Sequence, residues 1–294
     1  MIVGQRNRKL PRRRRTTFRN IALITLIPIA GLVVFLGWRF GQSLRARSGA
    51  PAPPPAQSVV KKEAPARAPA PHSRAAASII LILDDVGFDH QPIDAAMQID
   101  PNLNFSILPN AARAEELAQK LDARGFEVLC HLPMEPVDYP RLSPGPNAIM
   151  TSMSDQEIAR ATRDAIAAIP HARGVNNHMG SRATRDRRVM TTVLSALPKG
   201  IYFIDSKTTR GSIAENVARE MKIPTIGRDV FLDGVQEEQA VRQRLRELVA
   251  VATERGSAVG IGHLYPVTVK VLKEEIPHLR TRGVRFVRAS TAVD

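Results

Sequence analysis

The sequence contains one cysteine, few aromatic residues and, over its first quarter, almost no acidic residues. The single thiol, Cys130, excludes a disulfide within the chain and a cysteine-based zinc site. Aromatic residues make up 4% of the 294 residues, which leaves few side chains that can stack on sugar rings. Residues 1–77 contain 15 lysines and arginines but only one acid, Glu63. The excess of positive charge therefore lies in this segment.

The distribution of charge argues against a nucleic-acid partner, although the net charge of the chain is +14. Residues 78–294 contain 27 basic and 27 acidic side chains, so this part of the chain is neutral. A nucleic-acid-binding domain normally has a basic excess on its folded surface. We therefore predict that the folded part of the chain has no nucleic-acid partner.

An uncharged apolar stretch over residues 21–38 predicts a membrane anchor. Its 18 residues just reach the length that a bilayer-spanning helix needs. Arg19 and Arg39 flank the stretch, and Trp38 lies where an interfacial aromatic residue is common. A cleaved signal peptide is the alternative, but the stretch is longer than usual for one and no small-x-small cleavage site follows it. We therefore predict a single-pass anchor in the lipid bilayer.

The basic residues before this anchor predict its orientation. Residues 1–20 form a basic arm, which the positive-inside rule places in the cytoplasm. The remainder of the chain then lies on the periplasmic side of a bacterial inner membrane. Residues 39–77 are rich in proline and alanine, a composition that predicts an extended spacer. This spacer precedes a predicted domain formed by residues 78–294.

From residue 78 onward, short aliphatic runs alternate with helical patterns. The predicted strands are residues 79–83, 103–108, 126–130, 174–177, 201–204, 224–226, 258–262 and 284–287. The predicted helices are residues 114–124, 154–169, 187–197, 213–221 and 241–255. Such alternation indicates a parallel sheet. We predict an α/β fold, an irregular (β/α)7-type barrel of mostly parallel strands, with a flat doubly wound sheet as the alternative.

Five of the predicted strands end at acidic or imidazole side chains. These residues are Asp84 and Asp85, His131, His178, Asp205 and His263. The carboxyl ends of parallel strands lie at one edge of a sheet, so the side chains should converge there, although each alone is also typical of a hydrogen-bonded structural residue. Histidine and aspartate together predict a site for a divalent metal, zinc in the first place, with an activated water. A remaining carboxylate and imidazole are then available as base and acid.

Five segments surround these strand ends: 83–87 (LDDVG), 131–136 (HLPMEP), 176–181 (NNHMGS), 203–206 (FIDS) and 262–266 (GHLYP). In combination they resemble the motifs of the divergent polysaccharide deacetylases. The resemblance covers residues 78–294 and implies an irregular barrel with a metal ion at the carboxyl ends of its strands. It also implies removal of acetyl groups from N-acetylated polysaccharide or peptidoglycan of the cell envelope.

The resemblance further implies roles for individual residues. Asp84 corresponds to the catalytic base, Asp85 to a metal ligand and His263 to the catalytic acid. Asp205 is the remaining carboxylate at a strand end, and we include it among the predicted catalytic residues.

The predicted metal ligands depart from the pattern of the wider superfamily at one position. His131 corresponds to the first member of a His-x-x-x-His pair, but the second position is Glu135. His178, at the end of the next strand, is the candidate for the missing ligand, which gives Asp85, His131 and His178 as the predicted set. The interrupted pair and the scarcity of aromatic residues favour an alternative function, a non-catalytic metal- or glycan-binding scaffold or regulator of the envelope.

Overall fold

The structure is a computed structural model and describes residues 77–293. The predicted arm at residues 1–20, the anchor at 21–38 and nearly all of the spacer at 39–77 lie outside the described residues. Within residues 77–293, no helix is both long and apolar enough to cross a membrane. The anchor therefore stays a prediction from sequence.

Strands and helices alternate along most of the described chain, as the sequence predicts. The strands are β1 (Ser78–Val86), β2 (Asn104–Ile107), β3 (Glu127–Met134), β4 (Gly174–Met179), β5 (Tyr202–Asp205), β6 (Thr225–Gly227), β7 (Val230–Phe231), β8 (Ser257–His263) and β9 (Arg285–Val287). The helices are α1 (Ile93–Ala96), α2 (Ala114–Ala123), α3 (Asp155–Ala167), α4 (Arg187–Ser195), α5 (Ala214–Glu220), α6 (Glu238–Arg255) and α7 (Pro266–Thr281).

The central strand, β1, explains the run of five aliphatic residues in the sequence. It pairs in parallel with β2, β8 and β9. Ile79, Leu81 and Leu83 belong to the large apolar core that includes the inner faces of the helices. Ile80 and Ile82 belong to a second apolar cluster with residues of β5 and β8. Successive side chains of a strand point to opposite faces, so a strand covered on both faces is apolar throughout.

The sheet curls into a half-barrel. The residues between β6 and β7 form hydrogen bonds with strands near both ends of the sheet. The strand order is β6-β5-β4-β3-β2-β1-β8-β7, with β9 beside β1, and every pair is parallel. Between β6 and β7, the backbone N of Arg228 donates to the O of Asp205, and the N of Asp229 donates to the O of Val259, both at 2.9 Å. Within residues 77–293 no strand pairing joins β6 to β7. The predicted barrel is therefore incompletely closed.

One long helix, α7, and one short strand, β7, are absent from the sequence prediction. Pro266 and Pro277 interrupt the helical pattern of α7. Proline is tolerated in a first helical turn, where its missing N–H would have no partner. Buried Val269, Leu272 and Ile276 fix the rest of the helix against the core, so tertiary packing outweighs the second proline. β7 has two residues, which are too few to form a recognisable pattern.

Candidate metal centre and active site

A bulge at the end of β1 brings two adjacent carboxylates to the same site. Neighbouring side chains in an extended strand face opposite sides, so a regular strand would separate Asp84 from Asp85. The pairing of β1 with β2 is irregular between Leu83 and Val86, and Asp85 has a φ of 57°. Bulges re-aim side chains in this way. As a result, Oδ2 of Asp84 and Oδ1 of Asp85 lie 3.6 and 3.2 Å from Nε2 of the same imidazole, His131.

Three electron-rich atoms form a triangle at this edge of the sheet. Oδ1 of Asp85 lies 2.9 Å from Nδ1 of His178 and 3.2 Å from Nε2 of His131. The two nitrogens are 3.2 Å apart. Ligands that bind a tetrahedral zinc ion at 2.0–2.1 Å would be separated by about 3.3 Å. The triangle therefore fits three of the four ligands of such an ion.

Hydrogen bonding supports the same assignment. Oδ1 of Asp85 is buried and accepts no hydrogen bond from the described residues. A buried carboxylate oxygen without a partner is unfavourable unless a cation or a proton neutralises it. Carboxylate and imidazole groups are suitable ligands for zinc and related divalent metals. Asp85, His131 and His178 thus fit a divalent metal in geometry and in chemistry.

The ionisation of these groups shows how strongly the site favours positive charge. Burial opposes protonation of His131, but Asp84 and Asp85 outweigh it and raise its pKa to about 9. Burial also opposes ionisation of Asp85, but His131 and His178 hold its pKa well below the usual range. For Asp84, burial dominates and raises the pKa. In the absence of a metal ion, a proton on His131 therefore supplies the positive charge.

Asn176 on β4 connects a predicted ligand to the predicted base. Its Oδ1 accepts from Nδ1 of His131 at 2.8 Å and from the hydroxyl of Ser106. Its Nδ2 donates to Oδ1 of Asp84 at 2.8 Å. The amide is completely buried, so these bonds are protected from water. Because Asn176 keeps a hydrogen on Nδ1 of His131, Nε2 is the nitrogen that gives up its proton and offers a lone pair when a metal ion binds.

Asp233, which follows β7, holds His263 at the end of β8. Oδ1 of Asp233 accepts from Nδ1 of His263 at 2.9 Å. Oδ2 accepts from the backbone N of His263 at 2.6 Å and from Oγ1 of Thr268 at 2.8 Å. Nε2 of His263 lies 3.6 Å from Oδ2 of Asp85. Burial opposes protonation of His263, but Asp233 outweighs it and raises the pKa of the imidazole.

The loop after β1 is fixed by a glutamine side chain. Nε2 of Gln91 donates to the O of Asp85 at 2.7 Å. Oε1 of Gln91 accepts from the backbone N of Gly87 and of Phe88, each at 3.0 Å. Gly87 has a φ of 134°, and a Cβ there would lie 2.4 Å from Cβ of Ala111. The backbone that carries Asp85 is therefore held from within its own loop.

A cavity of about 420 Å³ opens onto these groups. Five of the six predicted site residues line it: Asp84, Asp85, His131, His178 and His263. Its walls also include Arg228 and Phe231, and the guanidinium carbon of Arg228 lies 5.0 Å from the centre of the Phe231 ring. The candidate ligands, base and acid thus share one space that a substrate can enter.

The structure does not bring Asp205, the sixth predicted residue, into this cavity. Its Oδ1 accepts from the backbone N of Lys207 at 2.8 Å. Its Oδ2 accepts from Oγ of Ser212 at 2.7 Å and from the backbone N of Glu215 at 3.3 Å. The carboxylate therefore fixes the loop between β5 and α5. Asp205 does lie at a strand end, as predicted, but we leave it out of the proposed reaction.

Glu135, at the position of the missing histidine, is fixed by structural contacts. Its Oε2 accepts from the backbone N and from Oγ1 of Thr151, both at 2.6 Å, and its Oε1 lies 3.4 Å from Nε of Arg182. β3 stays extended through Met134. A rise of about 3.3 Å per residue therefore takes position 135 about 13 Å along the strand from His131. His178 on β4 stands in its place in the ligand triangle.

The roles of Asn176, Asp233 and Gln91 were not predicted from the sequence. Asp233 had a weak signal, since it follows the apolar residues 230–232 and precedes a glycine. Asn176 lies within a motif next to a predicted ligand, but its partners come from β1, β2 and β3, which are distant in the sequence. Nothing in the sequence distinguishes Gln91 from an ordinary loop residue.

Fold and site together define an α/β protein with a parallel half-barrel sheet and a candidate metal centre at the carboxyl edge of that sheet. The sequence profile of the divergent polysaccharide deacetylase family matches residues 81–293. The chain belongs to this family. The resemblance seen in the five motifs is thereby confirmed.

Similar proteins support the family and the fold. The Escherichia coli K12 protein YibQ, which is described as uncharacterized, is 33% identical over 220 residues, or 74% of this chain and 68% of YibQ. An uncharacterized protein of Haemophilus influenzae is 33% identical over 209 residues, or 70% of this chain and 74% of that protein. A crystal structure of an uncharacterized protein from Agrobacterium tumefaciens C58 matches with a TM-score of 0.71 at 21% identity, covering 75% of this chain and 91% of that chain.

Proposed function

We propose that the chain is a metal-dependent hydrolase that removes acetyl groups from N-acetylated polysaccharide or peptidoglycan of the bacterial envelope. The buried Oδ1 of Asp85, which accepts no hydrogen bond from the described residues although two imidazole nitrogens lie close to it, is the observation that carries this proposal. It supports a metal centre in the same cavity as the carboxylate of Asp84 and the imidazole of His263. Membership of the deacetylase family supports the choice of substrate.

Asp85, His131 and His178 would hold the divalent ion, and their nitrogen and oxygen donors suit zinc. When bound, such an ion polarises a carbonyl group and makes a water molecule more acidic. Asn176 keeps the hydrogen of His131 on Nδ1, which leaves Nε2 free to bind. The carboxyl group of Asp85 is already ionised, because the two imidazoles hold its pKa low.

Asp84 acts as the base in this proposal. Asn176 holds its Oδ1, and its Oδ2 lies on the side of His131. Burial raises the pKa of the Asp84 carboxyl, which makes the carboxylate a stronger proton acceptor than an exposed aspartate. Oδ2 of Asp84 therefore takes a proton from the water that attacks the amide.

His263 acts as the acid. Asp233 holds the hydrogen on Nδ1 and stabilises the protonated imidazole, which is why its pKa is raised. Nε2 of His263 lies on the cavity side, near the carboxylate of Asp85. Nε2 donates its proton to the amine as the C–N bond breaks, so the amine leaves as a neutral group.

The test separates metal binding from hydrolysis. The full chain loaded with zinc should release amine from N-acetylglucosamine oligomers. Asp84→Asn and His263→Gln should each reduce the rate by roughly 10²–10⁴ while the protein still binds one zinc ion. Metal binding without amine release from any acetylated glycan would contradict hydrolysis and would favour the scaffold function instead.

We also propose that residues 21–38 anchor the chain in the inner membrane, with the domain in the periplasm. The proposal rests on the uncharged stretch and on the basic arm before it. Alkaline phosphatase fused after residue 77 should be active, because it folds only outside the cytoplasm. An inactive phosphatase together with an active cytoplasmic reporter at the same position would reverse the orientation.

A further inference from the structure

A second cavity also borders the candidate metal centre. Its volume is about 310 Å³, and it shares Asp85 and His178 with the first cavity. The loops after β1, β2 and β3 form most of its walls. The lining residues that carry no charge are mainly apolar: Phe88, Leu108, Ala111, Pro133, Pro144 and Pro146. Two of the three candidate ligands therefore border two spaces of different composition.

The few polar side chains in this second wall are already hydrogen-bonded. Nδ2 of Asn110 donates to the O of Pro146 at 2.5 Å, and its Oδ1 accepts from Asn147 at 3.3 Å. Oγ of Ser143 accepts from the backbone N of Gly145 at 3.2 Å. These contacts fix the proline-rich loop rather than point to a polar ligand. The surface that remains suits a hydrocarbon group better than a sugar ring.

The two cavities also differ in the groups that transfer protons. Asp84 and His263 line the first cavity but not the second. In the proposed reaction the leaving amine must lie at Nε2 of His263, and the sugar that carries it extends into the first cavity. The other substituent of the carbonyl carbon must then point away from His263. The second cavity borders Asp85 and His178 but not His263, so it is the space available to that substituent.

We propose that the second cavity binds the acyl group of the substrate, and that the preferred substrate is an N-acylated amino sugar with an acyl chain longer than acetyl. This inference rests on the proposed amide hydrolysis and specifies its substrate. A cavity of this size holds far more than one methyl group. Phe88 at its mouth is 53% exposed, so the end of a longer chain can leave past this ring. Hydrolysis of the amide gives the free amine and the corresponding fatty acid.

Binding of alkyl hydroxamates tests the cavity without requiring turnover. The full chain, loaded with zinc in lipid nanodiscs, is titrated with acetohydroxamate, butanohydroxamate and hexanohydroxamate, with empty nanodiscs as the blank. Each added methylene should increase affinity by up to roughly fourfold, and the whole series should gain at least about tenfold. Equal affinity for all three compounds would overturn the acyl cavity.

Two exposed apolar side chains at the same edge of the sheet provide a matched pair. Phe88 lines the second cavity, whereas Val235, which is 57% exposed, lines neither cavity at the metal centre. Phe88→Ala should remove most of the gain from acetohydroxamate to hexanohydroxamate, and Val235→Ala should leave it unchanged. Equal gains in both variants would overturn the proposal.

A substitution that fills the cavity keeps the proposal testable even if Phe88→Ala lowers the stability of the fold. Ala111→Leu should weaken hexanohydroxamate at least about fivefold relative to the parent chain, because it removes space for the chain. Acetohydroxamate binding should stay within about twofold, which also shows that the metal centre is intact. Equal weakening of both compounds would contradict an acyl cavity.

Turnover then separates this inference from the proposed function. Amine release is measured with N-acetyl-, N-butanoyl- and N-hexanoylglucosamine oligomers. Binding that improves with chain length, but without amine release from any of them, supports the cavity and contradicts the hydrolase. Amine release from the acetyl compound alone, with flat hydroxamate affinities, supports the hydrolase and contradicts the cavity.

Discussion

Two carboxylates at the ends of parallel strands, Asp85 and Asp205, have opposite surroundings. Asp205 accepts hydrogen bonds from two backbone N–H groups and one hydroxyl of the loop and first helical turn that follow it. Oδ1 of Asp85 accepts none from the described residues, although two imidazole nitrogens lie 2.9 and 3.2 Å away. The first carboxylate is satisfied by the fold alone. The carboxylate of Asp85 is stabilised only when a cation or a proton lies close to it.

The difference shows why position at a strand end is an incomplete criterion for a functional residue. Parallel strands bring many side chains to one edge, and a carboxylate there can cap the next loop as readily as it can bind a ligand. What separates the two is whether hydrogen-bond donors of the same loop are within reach. For Asp85, the bulge in β1 and the positive φ turn the side chain away from such donors and toward β3 and β4.

The largest difference in zinc affinity is expected when each of these two carboxylates is replaced by alanine in a separate variant. Asp85→Ala should weaken zinc binding by more than about 100-fold, because losing a ligand exceeds the 10–100-fold effect of losing a supporting contact. Asp205→Ala should leave zinc affinity within about threefold and lower the free energy of unfolding by roughly 1–3 kcal/mol, since buried backbone donors lose their acceptor. Competition with a chelator and urea denaturation measure the two quantities. Similar zinc affinities in the two variants would remove the distinction.

A second comparison uses two buried asparagines, Asn176 and Asn104. Asn176 joins His131 to Asp84, whereas Asn104 on β2 bonds only backbone groups, the O of Leu81 and the N of Ala289 among them, both at 2.9 Å. Asn176→Ala should weaken zinc binding by roughly 10–100-fold, since the imidazole loses the acceptor that sets its tautomer. Asn104→Ala should reduce stability without a comparable loss of zinc. Equal zinc affinity in both variants would show that Asn176 is only structural.

Much of the fold follows from the sequence, because it depends on local pattern. The aliphatic runs, the capping box at Ser154 and Glu157 and the apolar spacing of α6 are all visible in a short window. The family motifs also place five of the six predicted residues in one cavity. The parts that were not predicted depend on contacts between distant segments. α7 is held by packing despite Pro277, and the two residues of β7 are recognisable only from their pairing with β8.

The candidate site shows the same division. That carboxylates and imidazoles would meet follows from their strand-end positions. Which of them would meet does not, because it depends on side-chain direction. The sequence carries no sign that Asp85 leaves the extended conformation or that Asp205 turns into its loop. Asp233 escaped notice because its partner, His263, is 30 residues further along the chain.

The charge of the triangle predicts how stability depends on pH once zinc is removed. The pKa of His131 is raised from 6.5 to about 9 in the folded chain, so the folded state binds this proton more tightly than the unfolded state does. The stabilisation is complete below pH 6.5 and is lost as pH rises toward 9. The free energy of unfolding of the chelator-treated chain should therefore fall over this window, by roughly 3 kcal/mol at most.

The raised pKa of His263 acts in the same direction, so a variant is needed to isolate His131. His131→Gln should reduce the fall in stability measured by urea denaturation at several pH values. Zinc should reverse the dependence, since it binds unprotonated Nε2, and its affinity should increase with pH until His131 has lost its proton. A chelated chain whose stability is constant from pH 6.5 to 9 would contradict the charge balance described for the triangle.

The smallest effect on metal binding is expected from Glu135→His, which restores the His-x-x-x-His pattern in the sequence. β3 is extended as far as Met134, and the acceptor at position 135 faces Thr151 and Arg182. The new imidazole should therefore leave zinc affinity within about twofold, while Thr151 loses its acceptor and stability falls by roughly 1–3 kcal/mol. The decisive variant is Glu135→His combined with His178→Ala. If it still binds zinc tightly, position 135 can serve as a ligand and β4 is not needed; if zinc is lost, His178 has replaced the second histidine of the pair.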